Sequence, residues 1–190
     1  MSMTDILIVG VGGQGTLLAS RVLGNLAINL GYDVKLSEVH GMAQRGGSVV
    51  THVRLGDKVY APIIDEGGAD IILAFEKLEA LRWCGRLKNN GRMFINTQEI
   101  LPMPVITGAQ KYPADIESRI SAMVPDAVFV DALTLAQEAG NTKAINIVLL
   151  GVLAKHMDID KQAFLDAIKQ TVPPKTLEVN LAAFEKGYNA

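Results

Sequence analysis

The chain predicts an α/β protein: a three-layer α/β/α fold with a Rossmann-like start and a mostly parallel sheet that carries an antiparallel hairpin. Three observations predict it. The apolar run Ile6-Leu7-Ile8-Val9 enters Gly10-Val11-Gly12-Gly13-Gln14-Gly15-Thr16, and apolar residues then recur at helical spacing through Leu17, Leu18, Val22, Leu23, Leu26, Ala27 and Leu30. This reads as buried strand, tight turn, helix. Further short apolar runs alternate with amphipathic segments along the chain, the pattern of βα units. Apolar residues make up 49% of the 190 residues but aromatic ones 5%, with 18 glycines, so the core is aliphatic and the turns are many.

The elements follow in order. Gly31-Tyr32-Asp33 closes the first helix, and Val34-Lys35-Leu36 starts a second strand. Residues Ser37 to Ser48 form a polar, glycine-rich stretch holding Glu38, His40, Gln44 and Arg45. Val49 to Leu55 is β-branched, Gly56-Asp57 is a turn, and Lys58 to Ala61 returns as the second arm of a hairpin. Ala69-Asp70 leads into a buried strand from Ile71 to Phe75. Glu76 follows it, at the strand end that lines the ligand crevice in an open α/β sheet. A helix is expected from Lys77 to Leu87, ended by Asn90-Gly91. Met93 to Ile95 forms a strand, Val105 to Thr107 a short extended piece, and Ala114 to Met123 a helix broken by Pro125-Asp126. Ala127 to Val130 forms a strand and Leu133 to Ala139 a helix. Ala144 to Lys155 is apolar nearly all round, which places it in a large core or at an interface. Amphipathic helices over 161–170 and about 177–187 complete the chain. No repeat, linker or low-complexity tract interrupts it, so one domain spanning 1–190 is expected.

The bulk numbers exclude several functions. A formal net charge of −2 gives no electrostatic footprint for nucleic acid. The longest apolar region is too short to span a bilayer. The first residues lack a basic segment with a cleavage site. A cytoplasmic protein that contacts neither membrane nor nucleic acid is expected. Cys84 is the single cysteine, so the chain alone builds no internal disulfide and no Cys-ligated zinc or iron–sulfur site. His40, His52 and His156 have no metal-ligand spacing. Ser37 and Ser48 lack a G-x-S-x-G setting, and the glycine turn lacks the lysine of a P-loop.

Gly10, Gly12 and Gly15 meet the pattern G-x-G-x-x-G. Glycines there permit a tight turn and close approach to the backbone, and the helix start at Gln14, Gly15 and Thr16 offers unpaired N–H groups to an anion. The plainer reading is a compact strand-to-helix turn that binds nothing. Glu38 lies about where a dinucleotide fold places its ribose-binding acid. The glycine-rich 37–48 stretch and hairpin depart from that fold. His40 suits a general base or a backbone hydrogen bond. Arg45 suits a carboxylate or phosphate clamp, or an ion pair with Glu38 or Glu76. No self-sufficient catalytic constellation emerges, so no catalytic residue is assigned.

Longer motifs carry a resemblance. Gly10-Val11-Gly12-Gly13-Gln14-Gly15, then Glu38-Val39-His40-Gly41-Met42-Ala43-Gln44-Arg45-Gly46-Gly47-Ser48-Val49, then Phe75-Glu76 and Glu79-Ala80-Leu81-Arg82 resemble the gamma-type domain of 2-oxoacid:ferredoxin oxidoreductases. The likeness continues through Asn96-Thr97, Tyr112-Pro113, Gly140-Asn141, Asn146 and Val172-Pro173-Pro174-Lys175-Thr176, so it spans essentially the whole chain. Within that family the chain is most similar to the small stand-alone subunit of indolepyruvate:ferredoxin oxidoreductases. Gamma subunits of the pyruvate, 2-oxoisovalerate and 2-oxoglutarate enzymes, and a free-standing dinucleotide-binding oxidoreductase, are the alternatives. The resemblance implies oxidative decarboxylation of a 2-oxoacid to an acyl-coenzyme A, with electrons passing to ferredoxin. It also implies a large partner subunit that carries thiamine diphosphate and [4Fe–4S] clusters, none of which this chain binds alone. Under it, Gly12, Gly13, Gln14, Gly15, Thr16, Gly46, Gly47 and Ser48 become backbone donors near an anionic ligand such as coenzyme A. Arg45 pairs with a carboxylate or phosphate. Glu38 and His40 fix the polar loop, which with Gln44 and Arg45 faces the partner's cofactor.

Overall fold

The computed structural model describes residues 3–41 and 46–190. Strand β1 (Thr4–Val11) feeds helix α1 (Thr16–Asn29), followed by β2 (Asp33–His40), β3 (Ser48–Gly56) and β4 (Ala69–Ala74). Helix α2 (Lys77–Trp83) leads through a 3-10 turn into β5 (Leu87–Asn96), the short α3 (Met103–Ile106), α4 (Ile116–Met123) and β6 (Val128–Val130). Helices α5 (Ala132–Glu138), α6 (Ile145–Lys155), α7 (Lys161–Thr171) and α8 (Leu177–Tyr188) complete the order.

The six strands form one sheet in the order β2-β3-β1-β4-β5-β6. The pairs β1–β4, β4–β5 and β5–β6 are parallel, whereas β3 runs antiparallel to both β1 and β2. Successive residues of β1 point to opposite faces. Ile6 and Ile8 join the core under α1, α6, α7 and α8, while Leu7 and Val9 join a second core under α2 and α4. Both faces are therefore covered, as the continuous apolar run of β1 requires, and the three-layer, mostly parallel arrangement holds.

The antiparallel hairpin is present but lies elsewhere than the sequence suggests. Lys58 to Ala61 forms no strand. β3 is already paired on one side with β2 and on the other with β1, so no edge remains for a further arm. The hairpin is β2–β3. Residues 57–68 instead cross the sheet as a strap. Val59 N–H donates to Asp33 Oδ2 at 2.9 Å, and the Arg54 guanidinium donates to the Ala61 and Ile63 carbonyls at 3.2 and 2.8 Å. Ile64 N–H donates to Nδ1 of buried His52 at 3.1 Å.

Three boundaries also differ. The helix expected to reach Leu87 stops at Trp83, and Leu87 already opens β5. Asn90, at φ 67°, sits where the β4–β5 register shifts, so Asn90-Gly91 marks a bulge in a strand rather than a helix end. Residues 105–107, expected as extended, belong to or follow α3. Pro104 fits the first turn of that helix, where a missing N–H costs nothing. Helix α6 resolves the choice between core and interface. Asn146 through Ala154 are buried inside the chain against α1, α5, α7 and α8. Among the described residues, no helix is long and apolar enough to cross a membrane.

Candidate functional site

The β1–α1 turn sits at the carboxyl end of β1, beside the end of β4, where the chain departs to opposite sides of the sheet. Such switch points form the ligand crevice of open α/β sheets. Gly13 and Gly15 adopt φ values of +100° and +81°, which L side chains resist. Gly15 caps α1, and no side chain caps that helix. Gly12 N–H is taken by Gly47 O at 2.9 Å and Gln14 N–H by Val11 O at 3.3 Å, so these two expected donors are spent inside the chain, and the N–H groups of Leu18 and Ala19 both return to Gly15 O. The N–H groups of Gly13, Gly15, Thr16 and Leu17 have no acceptor among the described residues and lie at the positive end of the helix dipole, an arrangement suited to an anion.

Not every residue of the motif faces the open side of the turn. The Gln14 side chain turns inward: Oε1 accepts from Val11 N–H at 2.9 Å, and Nε2 donates to Phe75 O at 2.8 Å. It latches the turn to the end of β4. A Cβ at Gly10 would lie 2.8 Å from Gln14 Oε1 and 2.9 Å from Phe75 Cβ, so Gly10 makes room for the latch. Asn146 at the start of α6 closes the other side, with Nδ2 donating to Gly15 O at 3.2 Å and Oδ1 accepting from Ile147 N–H at 2.9 Å.

Two clefts open from this turn. One, of about 340 Å³, lies between Gly12, Gly13, Thr16 and Leu17 on one side and Glu38 and His40 of β2 on the other. Glu38 accepts from Thr51 Oγ1 at 3.0 Å. In a dinucleotide-binding fold the acidic strand adjoins β1. Here β3 intervenes, which sets Glu38 two strand spacings, roughly 10 Å, from β1. That displacement disfavours the ribose-binding role. The second cleft, of about 600 Å³, is bounded by Gly12 to Gly15, by Gln98 and Ile100 after β5, and by Thr142 and Lys143 before α6. Lys143 is exposed and makes no ion pair with any described residue. It thus adds a free cation to the helix end. Sequence reading missed Lys143 and Gln98. The signal was present in Thr142-Lys143 just ahead of the apolar helix, but their approach to Gly15 joins residues far apart in the chain.

The hairpin base is held against this turn. Gly47 O accepts from Gly12 N–H at 2.9 Å, and Gly41 N–H donates to Ser48 O at 3.2 Å. Ser48 Oγ donates to Glu79 Oε2 at 2.6 Å, and Arg82 pairs with the other oxygen at 2.5 Å. The Ser48 hydroxyl therefore points toward α2, on the sheet face opposite Glu38 and His40. Gly46 precedes this base. Gln44 and Arg45 lie outside the described residues.

Glu76 stands at the end of β4, as expected, but turns inward. It is 1% exposed. One oxygen accepts from Glu79 N–H at 2.9 Å and caps α2; the other accepts from Tyr112 Oη–H at 2.6 Å and Ile100 N–H at 3.2 Å. Burial, then the hydrogen bond to Glu76, pushes the Tyr112 phenol well up, so it stays a donor. Burial and the nearby Arg86 and Arg54 lower His52. Burial raises the Cys84 thiol, in keeping with a structural side chain. Among the described residues no three His, Cys, Asp or Glu side chains gather as a metal site.

Comparisons with known proteins agree with this architecture. A family model described as pyruvate ferredoxin/flavodoxin oxidoreductase matches residues 5–190. Indolepyruvate oxidoreductase subunit IorB of Thermococcus kodakarensis is 43% identical over 195 residues, covering 100% of this chain and 96% of that protein. The IorB subunit of Archaeoglobus fulgidus is 41% identical over 189 residues, 97% of this chain and 94% of that protein. The gamma subunit of a keto/oxoacid ferredoxin oxidoreductase from Geobacter sulfurreducens shares the fold, with a TM-score of 0.72 at 23% identity over 98% of this chain and 96% of that one. The chain therefore belongs to the pyruvate ferredoxin/flavodoxin oxidoreductase family, as a small gamma-type subunit of a 2-oxoacid:ferredoxin oxidoreductase.

Proposed function

We propose that this chain, as one gamma-type domain over 1–190, works in the cytoplasm beside a large catalytic subunit in the oxidative decarboxylation of an aryl pyruvate, indolepyruvate above all. Its IorB relatives support that substrate class, since they match along nearly their whole length. A [4Fe–4S] cluster takes four ligands, and this chain has one cysteine. The clusters and thiamine diphosphate are accordingly assigned to the large subunit, with ferredoxin reached through the complex. Thiamine diphosphate supplies the carbanion chemistry.

This chain's own contribution is to hold the anionic part of coenzyme A at the shared site. The observation that carries this is the cleft between the uncapped start of α1 and Lys143. Its donors fit phosphate oxygens: backbone N–H groups aligned with a helix dipole and one unpaired ammonium. Its volume of about 600 Å³ lies within the range of small-molecule sites.

The test is co-expression with the large subunit, followed by assay of 2-oxoacids with coenzyme A. Rates highest on indolepyruvate support the reading, while activity confined to pyruvate, 2-oxoisovalerate or 2-oxoglutarate reassigns the substrate within the family. Lys143→Ala should raise the KM for coenzyme A about five- to tenfold, the loss of one exposed charge-assisted contact. An unchanged KM would leave the chain an assembly subunit whose glycine turn binds no coenzyme A.

A further inference from the structure

One buried carboxylate does more than the fold asks of it. A helix N-cap needs a single acceptor, and a short Ser, Thr, Asp or Asn supplies it best. Glu76 caps α2 with one oxygen and extends the other to two points far along the chain, Ile100 N–H and Tyr112 Oη–H. These two points are the feet of a loop. Between them, residues 101–111 bury almost nothing: α3 has no buried residue, and Met103 and Ile106 are 65% and 62% exposed. From Leu101 to Lys111 the hydrogen bonds stay inside the loop. Burial therefore does not hold the loop; its ends are clasped, as in an Ω-loop. The foot at Ile100 lies in the wall of the 600 Å³ cleft, beside Gln98 and across from Gly12 to Gly15.

We infer that Glu76 is a positioning residue for that cleft: by clasping Ile100 and Tyr112 together it holds the outer wall in the place that ligand binding requires. The inference rests on the reading of the cleft as the coenzyme A site. Desolvating a carboxylate is costly, and three donors on Glu76 compensate it. Removing the Tyr112 hydroxyl loosens the far foot, so the loop samples open positions and Ile100 leaves the wall for part of the time. The ligand then binds a fraction of the population.

Two variants separate clasp from cap. Tyr112→Phe deletes the hydroxyl and leaves the cap intact. Glu76→Asp keeps charge and cap but draws the second oxygen back by one methylene. In the full chain without ligand, hydrogen exchange of the amides at 103 and 105–111 should accelerate about tenfold in both variants. In the assembled enzyme the KM for coenzyme A should rise about three- to tenfold, while kcat at saturating coenzyme A changes less than about twofold. The double variant should add little to either single one, because both break the same clasp. Unchanged exchange, or faster exchange with an unchanged KM, overturns the inference while Lys143→Ala still raises that KM. If Lys143→Ala also leaves the KM unmoved, the coenzyme A reading itself fails and takes the inference with it.

Discussion

Gly13 and Gly15 share a left-handed backbone but not their surroundings, and alanine at each should separate two costs. A Cβ at Gly13 meets nothing within 4 Å. Gly13→Ala should therefore cost the left-handed strain alone, about 1–2 kcal/mol. A Cβ at Gly15 would lie 2.6 Å from Asn146 Nδ2. The amide must then swing away, losing its bonds to Gly15 O and Ile147 N–H and leaving buried groups unpaired at about 1–3 kcal/mol more. Gly15→Ala should thus cost about 2–5 kcal/mol. Urea unfolding of the full chain measures both. In an Asn146→Ala background the obstacle is gone, and Gly15→Ala should fall back to the cost seen at Gly13. Equal costs at the two positions in the parent chain, or additive costs in the double variant, would refute the role given to Asn146 in shaping the turn.

Arg54 donates two hydrogen bonds to Asp5, which is 4% exposed, and two more to the strap. Arg54→Ala should therefore destabilise by about 3–5 kcal/mol in the same unfolding assay, because it strands a buried carboxylate. Helices α6 and α8 meet at Gly187, where a Cβ would run into the Val148 backbone carbonyl. Gly187→Ala should force the helices apart and cost about 3 kcal/mol or more, read as a drop in Tm. Burial holds His52 below its ordinary value near 6.5. The unfolded chain then binds the extra proton first, so this contribution to stability is complete above about pH 6.5 and is lost as pH falls toward the folded-state value. His52→Asn keeps an acceptor for Ile64 N–H and should flatten the stability profile just below pH 6.5; an unaltered slope would assign acid loss to other groups.

Much of the molecule was legible from local patterning. The Ile6–Val9 run, the glycine turn and the helical spacing after it are set by contacts within a few residues of one another. Period and turn chemistry report such contacts directly, so the α/β class, the three layers and most helices follow from them. The family likeness rests on the same kind of signal, motifs of fixed spacing such as Glu38 to Ser48.

What only the tertiary structure decided depends on which distant segment reaches a site first. Val59 and Tyr60 have strand-forming residues, but β1 and β2 already occupy both edges of β3, so that segment became a strap held by Arg54. Gln14 and Glu76 look like ligand-facing polar residues in the sequence. Each turns inward because a distant partner, Phe75 O for one and Tyr112 with Ile100 for the other, satisfies it on burial. Lys143 stands just ahead of the apolar helix in the sequence, but it gains its place beside the glycine turn only through Asn146 and the packing of α6. A sequence displays what each residue offers, and burial across the fold selects which of those offers is met inside the protein and which is left facing the cleft.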